Sequence, residues 1–331
     1  MNNDRLRFGV LGCADIAWRR TLPALAAERR VHLVAVASRD PAKAQRFADR
    51  FGCEAVEGYR PLLTRDDIDA VYVPLPAGLH AHWTREALRH GKHVLCEKPL
   101  TTDADTSAEL VAQARDAGLL LMENYMFVHH SQHTAVRRLI DDGAIGEPRK
   151  FYGAFTIPRL PAGDIRHRAD LGGGALLDVG GYPLRAASLF LGPRLKVIGA
   201  FLRHDPDTTV DLEGAALLRS PAGVTAQISF GIDNAYRSAY ELSGTEGRIS
   251  LERAFTPPAD HAPVLRIERA GRTQEVTLPP DDQFAAVAGA FTGTALSGTG
   301  FTSHAEDILR QAGLQSEVRR QAMDARTAEG R

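Results

Sequence analysis

Apolar positions in the first third of the chain fall into two alternating textures. Short, almost continuously apolar runs occupy residues 7–11, 31–37, 70–74, 93–96 and 119–122. Between them, over 16–27, 41–51, 80–89 and 103–117, apolar residues return every three or four positions. Continuous runs mark strands buried on both faces, and the longer period marks helices buried along one side. Their alternation predicts βαβ units around a doubly wound parallel sheet, for which six strands is the usual count.

The texture changes after Met122. A helical period over 132–141 gives way to longer runs of period two, at 150–157, 195–202, 213–219, 225–232 and 238–243. Turn-forming clusters at Ser220-Pro221-Ala222-Gly223 and Gly244-Thr245-Glu246-Gly247 separate neighbouring runs, as in an antiparallel meander. The expected division is an α/β dinucleotide-binding Rossmann domain over 1–122, followed over 123–331 by an α+β domain with a large, mostly antiparallel sheet for substrate binding and oligomerisation. The Gly/Ser/Thr-rich run 292–303 is expected to be a loop between two closing helices, because apolar residues resume at Ile308, Leu309 and Leu314.

Composition narrows the functions open to this architecture. The 331 residues are 44% hydrophobic and 24% charged, enough for two packed cores. A formal net charge of -1 gives no attraction to a phosphate backbone or an anionic membrane, and no apolar run is long enough to span a bilayer. Nucleic acid and membrane are therefore not expected partners. The opening residues are polar and lack the apolar core of a secretory signal. The three cysteines, Cys13, Cys53 and Cys96, have no paired spacing. They read as buried packing residues in a reducing, cytoplasmic setting.

Candidate chemistry gathers at the predicted strand ends. Gly12-Cys13-Ala14-Asp15-Ile16-Ala17 follows the first strand and opens the first helix with GxGxxG spacing, though Ala14 and Ala17 replace two glycines. Helix amides there suit a dinucleotide pyrophosphate. After the second strand, where an NAD enzyme carries a carboxylate for the ribose, this chain has Ser38-Arg39, with Lys43 a turn further on. A hydroxyl and two cations suit a ribose phosphate, so NADP(H) is the expected cofactor. Asp40 reads as the N-cap of a helix with Pro41 at its first position. Pro74, Leu75 and His80 are expected to line the cofactor at the next strand end, with helix-end solvation the alternative for His80. The run 91–100 ends in Glu97-Lys98-Pro99 and brings a single ammonium to the sheet edge, where open α/β sheets hold ligands.

These motifs, followed in order by Gly172-Gly173-Gly174-Ala175-Leu176-Leu177-Asp178-Val179-Gly180-Gly181-Tyr182, resemble the glucose-fructose oxidoreductase, inositol dehydrogenase and rhizopine catabolism (Gfo/Idh/MocA) superfamily over nearly the whole chain. The resemblance implies that Lys98 and Tyr182 flank the nicotinamide and substrate, and that the Lys98–Pro99 peptide is cis. Tyr182 stands where the inositol dehydrogenase branch has histidine, which points to sugar oxidoreductases and ketoreductases. Residues 123–127, 129–133 and 157–161 resemble the nucleotide-sugar 3-ketoreductases of deoxysugar biosynthesis in antibiotic producers. The implied activity is NADPH-dependent reduction of the C3 ketone of a TDP-linked 3-keto-6-deoxyhexose by a homodimer or homotetramer.

Ketone reduction needs a hydride at carbon and a proton at oxygen. Tyr182 is the candidate acid, and the Lys98 ammonium would lower a phenol pKa that is ordinarily about 10. Lys98 could instead bond the nicotinamide ribose or a substrate hydroxyl. Asp178 could bond a sugar hydroxyl or cap a helix. Asn124 and Tyr125 are further candidate substrate contacts. Arg159 and Arg166, with Arg168, could hold a diphosphate or form solvated ion pairs with Asp164 and Asp170. His129, His130 and His133 lack a third ligand type at metal spacing, so no metal is expected. Two other functions stay open: an NADP-dependent dehydrogenase of a free sugar or dihydrodiol, and a non-catalytic cofactor-binding protein.

Overall fold

A computed structural model of the chain describes residues 5–329, so the polar lead Met1–Asp4 lies outside the described residues. The chain divides into two compact units, Met1–Met126 with Phe284–Ala312, and Phe127–Gln283 with Gly313–Arg331. This differs from a single cut near Met122. The break comes four residues later, and part of the C-terminal helical segment belongs to the first unit.

In the first unit β1 (Leu6–Leu11), β2 (Val31–Ser38), β3 (Glu54–Glu57), β4 (Ala70–Val73), β5 (His93–Glu97) and β6 (Leu121–Asn124) form a parallel sheet of order β3-β2-β1-β4-β5-β6. That is the doubly wound order, with its topological switch point between β1 and β4. β3 escaped the hydrophobic pattern because it is a four-residue edge strand, mostly exposed, with glutamate at both ends. Alternation along the strands buries Val71, Val73, Val94 and Cys96 in one core cluster and turns Tyr72, Leu95 and Glu97 to the other face.

Helices α1 (Leu22–Ala27), α2 (Pro41–Phe51), α3 (Arg60–Leu63), α4 (Ala77–Arg89) and α5 (Ala104–Asp116) lie between successive strands of this sheet along the chain, and local chemistry sets their ends. α2 (Pro41–Phe51) starts at Asp40, whose side chain accepts from the amides of Ala42 and Lys43, and stops at Gly52 with φ +67°, a value glycine adopts without steric cost. The expected loop over 292–303 is a correction. α8 (Gln283–Ser297) and α9 (Phe301–Glu329) leave only residues 298–300 between them. Phe291, Thr292 and Ala295 are buried, so packing outweighs the weak helix propensity of glycine and threonine. Leu309 is exposed, whereas Ile308 and Leu314 are buried. No helix among the described residues is long and apolar enough to cross a membrane.

The second unit holds β7 (Pro148–Thr156), β8 (Lys196–His204), β9 (Asp211–Arg219), β10 (Thr225–Gly231), β11 (Arg237–Gly244), β12 (Gly247–Glu252), β13 (Val264–Arg269) and β14 (Arg272–Thr277). Their order is β14-β13-β12-β11-β7-β10-β9-β8. Every pair is antiparallel except β7 with β10. The turns expected at 220–223 and 244–247 join β9 to β10 and β11 to β12. β13 and β14 were not expected, because outward arginines and glutamates mask a pattern carried inward only by residues such as Leu265 and Ile267. One helix, α7 (Gly181–Leu191), packs on the inner face next to Phe230. A methyl on the preceding Gly180 would lie 3.0 Å from that ring.

Candidate active site

The switch point supplies a cradle. Gly12 has φ +128° and donates its amide to Ala37 O at 2.9 Å. A Cβ at Gly12 would stand 2.8 Å from Leu75 Cδ2, so the turns after β1 and β4 meet because position 12 has no side chain. A helix begins at Asp15 and opens with a π turn, Ala17–Thr21, a device that recurs at functional sites. Cys13 and Cys53 are half-buried rather than buried, and burial pushes both thiols up to about 11. Asp15 is exposed and pairs with Arg19.

At the end of β2, Ser38 is buried and its Oγ accepts from Asp40 N at 3.1 Å, while Arg39 and Lys43 are exposed. The Asp40 carboxylate is turned into the first amides of α2.

The lysine-bearing turn is built differently from the expectation. Glu97 is the last residue of β5, and its Oε1 accepts from Tyr72 at 2.7 Å and from Asn124 Nδ2 at 2.6 Å. The Tyr72 hydroxyl also lies 2.9 Å from Thr21 Oγ1. Tyr72, Thr21 and Asn124 are fully enclosed and Glu97 is 9% exposed. Burial raises the Glu97 pKa, against hydrogen bonds and the Lys98 charge that favour the carboxylate. Glu97 and Asn124, expected as cofactor and substrate contacts, thus form a polar cluster beneath the strand end. Tyr125 is buried and its hydroxyl accepts from Gln311 at 3.2 Å. A tyrosine among the valines of β4 was the one sequence signal for this cluster, and the pattern reading passed over it. Lys98 itself is half-buried, its peptide bond to Pro99 is cis, and Leu100 N donates to Glu123 at 2.8 Å.

His80 is also placed otherwise than expected. It is 1% exposed, and its ring nitrogens lie 2.7 Å from Pro99 O and 2.6 Å from Leu75 O. Both ring nitrogens are engaged by backbone carbonyl oxygens.

In the second unit a π turn, Leu176–Gly180, leads into α7. The cap here is Asp211 on β9, which accepts from Leu176 N at 2.5 Å. Asp178 instead forms an ion pair with Arg166 Nε at 2.5 Å. Arg166 also pairs with Asp164 at 3.2 Å, and Arg168 pairs with Asp170 on the surface. Two of the three loop arginines are therefore ion-paired, while Arg159 is exposed after β7. Tyr182 opens α7 at 4% exposure among Phe155, Phe127 and Phe255, with ring centroids 4.9, 5.6 and 5.9 Å away. Edge-on and tilted neighbours fix the plane of the phenol ring.

Two histidines of segment 129–133, His130 and His133, are buried, and His129 is half-buried. His130 caps α6 (Ser131–Asp141) by accepting from Gln132 N, and buried His133 lies 2.9 Å from the Tyr240 hydroxyl. Among the described residues no group of His, Cys, Asp or Glu could hold a metal ion.

Two family profiles match this arrangement. Residues 6–125 match the oxidoreductase family with an NAD-binding Rossmann fold, and residues 133–250 match the GFO/IDH/MocA C-terminal domain. The chain belongs to the Gfo/Idh/MocA oxidoreductase family. Within that family it is 55% identical over 323 residues to a dTDP-3,4-didehydro-2,6-dideoxy-alpha-D-glucose 3-reductase of Actinomadura kijaniata, covering 98% of this chain and 97% of that protein. It is 38% identical over 282 residues to a D-xylose 1-dehydrogenase (NADP(+)) of Haloferax volcanii, covering 84% of this chain and 86% of that protein. A crystal structure of a 3-ketoreductase from Actinomadura kijaniata in complex with NADP and TDP-benzene superposes with a TM-score of 0.94 at 56% identity, covering 96% of this chain and 98% of that one. That ketoreductase has also been solved with a tyrosine-to-phenylalanine and a lysine-to-alanine substitution.

Proposed function

We propose that this Gfo/Idh/MocA protein reduces the C3 ketone of a TDP-linked 3-keto-6-deoxyhexose with NADPH, as a step of deoxysugar biosynthesis in antibiotic production. The observation that carries this reading is the 55% identity to the dTDP-sugar 3-reductase across 98% of the chain. The residues present fit the cofactor. The Gly12 turn has no side chain where a pyrophosphate would approach, and the ribose position has Ser38, Arg39 and Lys43 with its one aspartate turned away.

Gly12, Cys13, Ala14, Asp15 and Ile16 form the pyrophosphate turn, and Ser38, Arg39 and Lys43 hold the ribose phosphate. Bound NADPH supplies the hydride. Tyr182 gives its phenol proton to the oxygen of the ketone as negative charge develops there, and the Lys98 ammonium stabilises that charge and orients the substrate. The lysine and the tyrosine substituted in the Actinomadura enzyme are separated by the same interval as Lys98 and Tyr182. Asp178 acts through Arg166 to order the loop ahead of α7, and Arg159 binds a diphosphate oxygen. A cytoplasmic site fits the three free cysteines, and the chain works as a homo-oligomer built on its large sheet.

The test is NADPH oxidation with a TDP-linked 3-keto-6-deoxyhexose beside the same keto sugar without the nucleotide. Turnover of the linked sugar, falling by roughly 100-fold or more in Tyr182→Phe, is expected from the loss of a general acid. Turnover confined to the unlinked sugar replaces this reading with that of a free-sugar dehydrogenase.

A further inference from the structure

His80 presents a problem of proton count. A neutral imidazole has one N–H and one lone pair, so it can donate to one carbonyl only. Here both ring nitrogens face backbone carbonyl oxygens, Pro99 O at 2.7 Å and Leu75 O at 2.6 Å, and the ring is 1% exposed. A lone pair at that distance from a carbonyl oxygen is repulsive, and water cannot insert at a site so enclosed. Both contacts are attractive only when both nitrogens carry hydrogen.

The two carbonyls belong to different strand ends. Leu75 lies in the turn after β4, packed against the Gly12 turn. Pro99 directly follows Lys98. His80, on α4 (Ala77–Arg89), therefore joins the turn after β4 to the lysine-bearing turn. We propose that His80 is the positioning residue for Lys98, an imidazolium staple whose second proton completes the tie between the Leu75 turn and the Pro99 turn. The inference rests on the catalytic role assigned to Lys98 above.

The charge balance at the ring gives the pH dependence. Burial lowers the pKa most, the two carbonyl bonds raise it, and the Lys98 ammonium lowers it, leaving the net shift downward. The second proton thus binds below the ordinary histidine value of about 6.5. The lysine turn is held at two points on the acid side and at one point above it. A ring that only filled space would show no such dependence.

Two measurements test the staple. In the intact protein labelled with 15N-histidine, the His80 ring is expected to show both nitrogens protonated as pH falls below 6.5. A ring that stays neutral at every pH where the enzyme turns over would overturn the proposal, and this readout needs no variant. In the second, His80→Gln keeps a single donor nitrogen. It is expected to lower kcat by roughly 10- to 100-fold on the acid side, where the wild-type ring carries both protons, the scale of a displaced catalytic group, with NADPH affinity unchanged. No loss on the acid side, or a loss of the same size at every pH, would overturn the proposal. Absence of turnover in the wild type would instead count against the proposed function, and the 15N readout would still decide the staple.

Discussion

At the scale of single residues, the proposed preference for NADPH rests on Arg39. Asp40 is consumed by the first amides of α2, so the strand end that would offer a carboxylate to a bare ribose offers a guanidinium and the buried hydroxyl of Ser38. Charge-assisted hydrogen bonds contribute about 1.5–3 kcal/mol each. Arg39→Ala is therefore expected to weaken NADPH binding by roughly 10- to 150-fold and to leave NADH binding almost unaltered, as read by titration of nicotinamide fluorescence. Equal losses for both cofactors would mean that the guanidinium does not read the phosphate. Lys43, a turn further along and exposed, adds a flexible point charge, and its removal is expected to matter less.

At the scale of elements, strands and helices with a clean period were legible, and so were caps that depend on adjacent residues, such as Asp40 with Pro41. The structure departs from the sequence reading where distant residues decide. The helix containing Thr292 forms because its weak helix formers are buried, and the cap of the π turn before α7 comes from Asp211, 35 positions away from Leu176. Motif position and resemblance marked Glu97, Asn124 and His80 as ligand contacts; the buried hydrogen bonds of Glu97 with Tyr72 and Asn124, and of His80 with the Leu75 and Pro99 carbonyls, were not legible in the sequence. His133 on α6 is a further inward-turned group. It is 3% exposed beside Tyr240, and burial lowers its pKa to about 3. The unfolded chain takes up that proton near pH 6.5, whereas the folded one does not until about pH 3. His133 therefore leaves stability intact above pH 6.5 and erodes it as pH falls toward 3, by about 1.4 kcal/mol per unit. Urea midpoints are expected to drop between pH 6.5 and 5, and His133→Asn is expected to flatten that slope. A slope unaltered by the substitution would assign the acid sensitivity to other groups.

At the scale of the whole molecule, the outward face of the eight-stranded sheet is the surface through which the proposed homo-oligomer would assemble. Alternation places small or neutral residues, Ala154, Ala215, Gln227 and Ser229, at its centre. Phe201 at 58% exposure, Ile198 at 49% and Leu217 at 37% stand at the β8–β9 end. Toward β13 the charges are already matched within the face, Arg248 with Glu268 and Glu241, and Arg266 with Glu268. A face whose charges are internally balanced selects no strongly charged partner, and one end is too apolar to be left solvated without cost. A second copy of the same chain meets both conditions, since an isologous contact sets each patch against itself or its neighbour. A stable dimer needs roughly 800 Å² from each partner, which a sheet of this width can provide. Light scattering is expected to give a multiple of the chain mass for the wild type, and Phe201→Glu combined with Leu217→Glu is expected to lower it with the circular dichroism unchanged. A monomeric wild type, or a double variant that keeps its full mass, would remove this face from the assembly. The substitutions lie on the outer surface of the sheet, opposite the inner face that carries α7 and Tyr182, so NADPH affinity is expected to survive them.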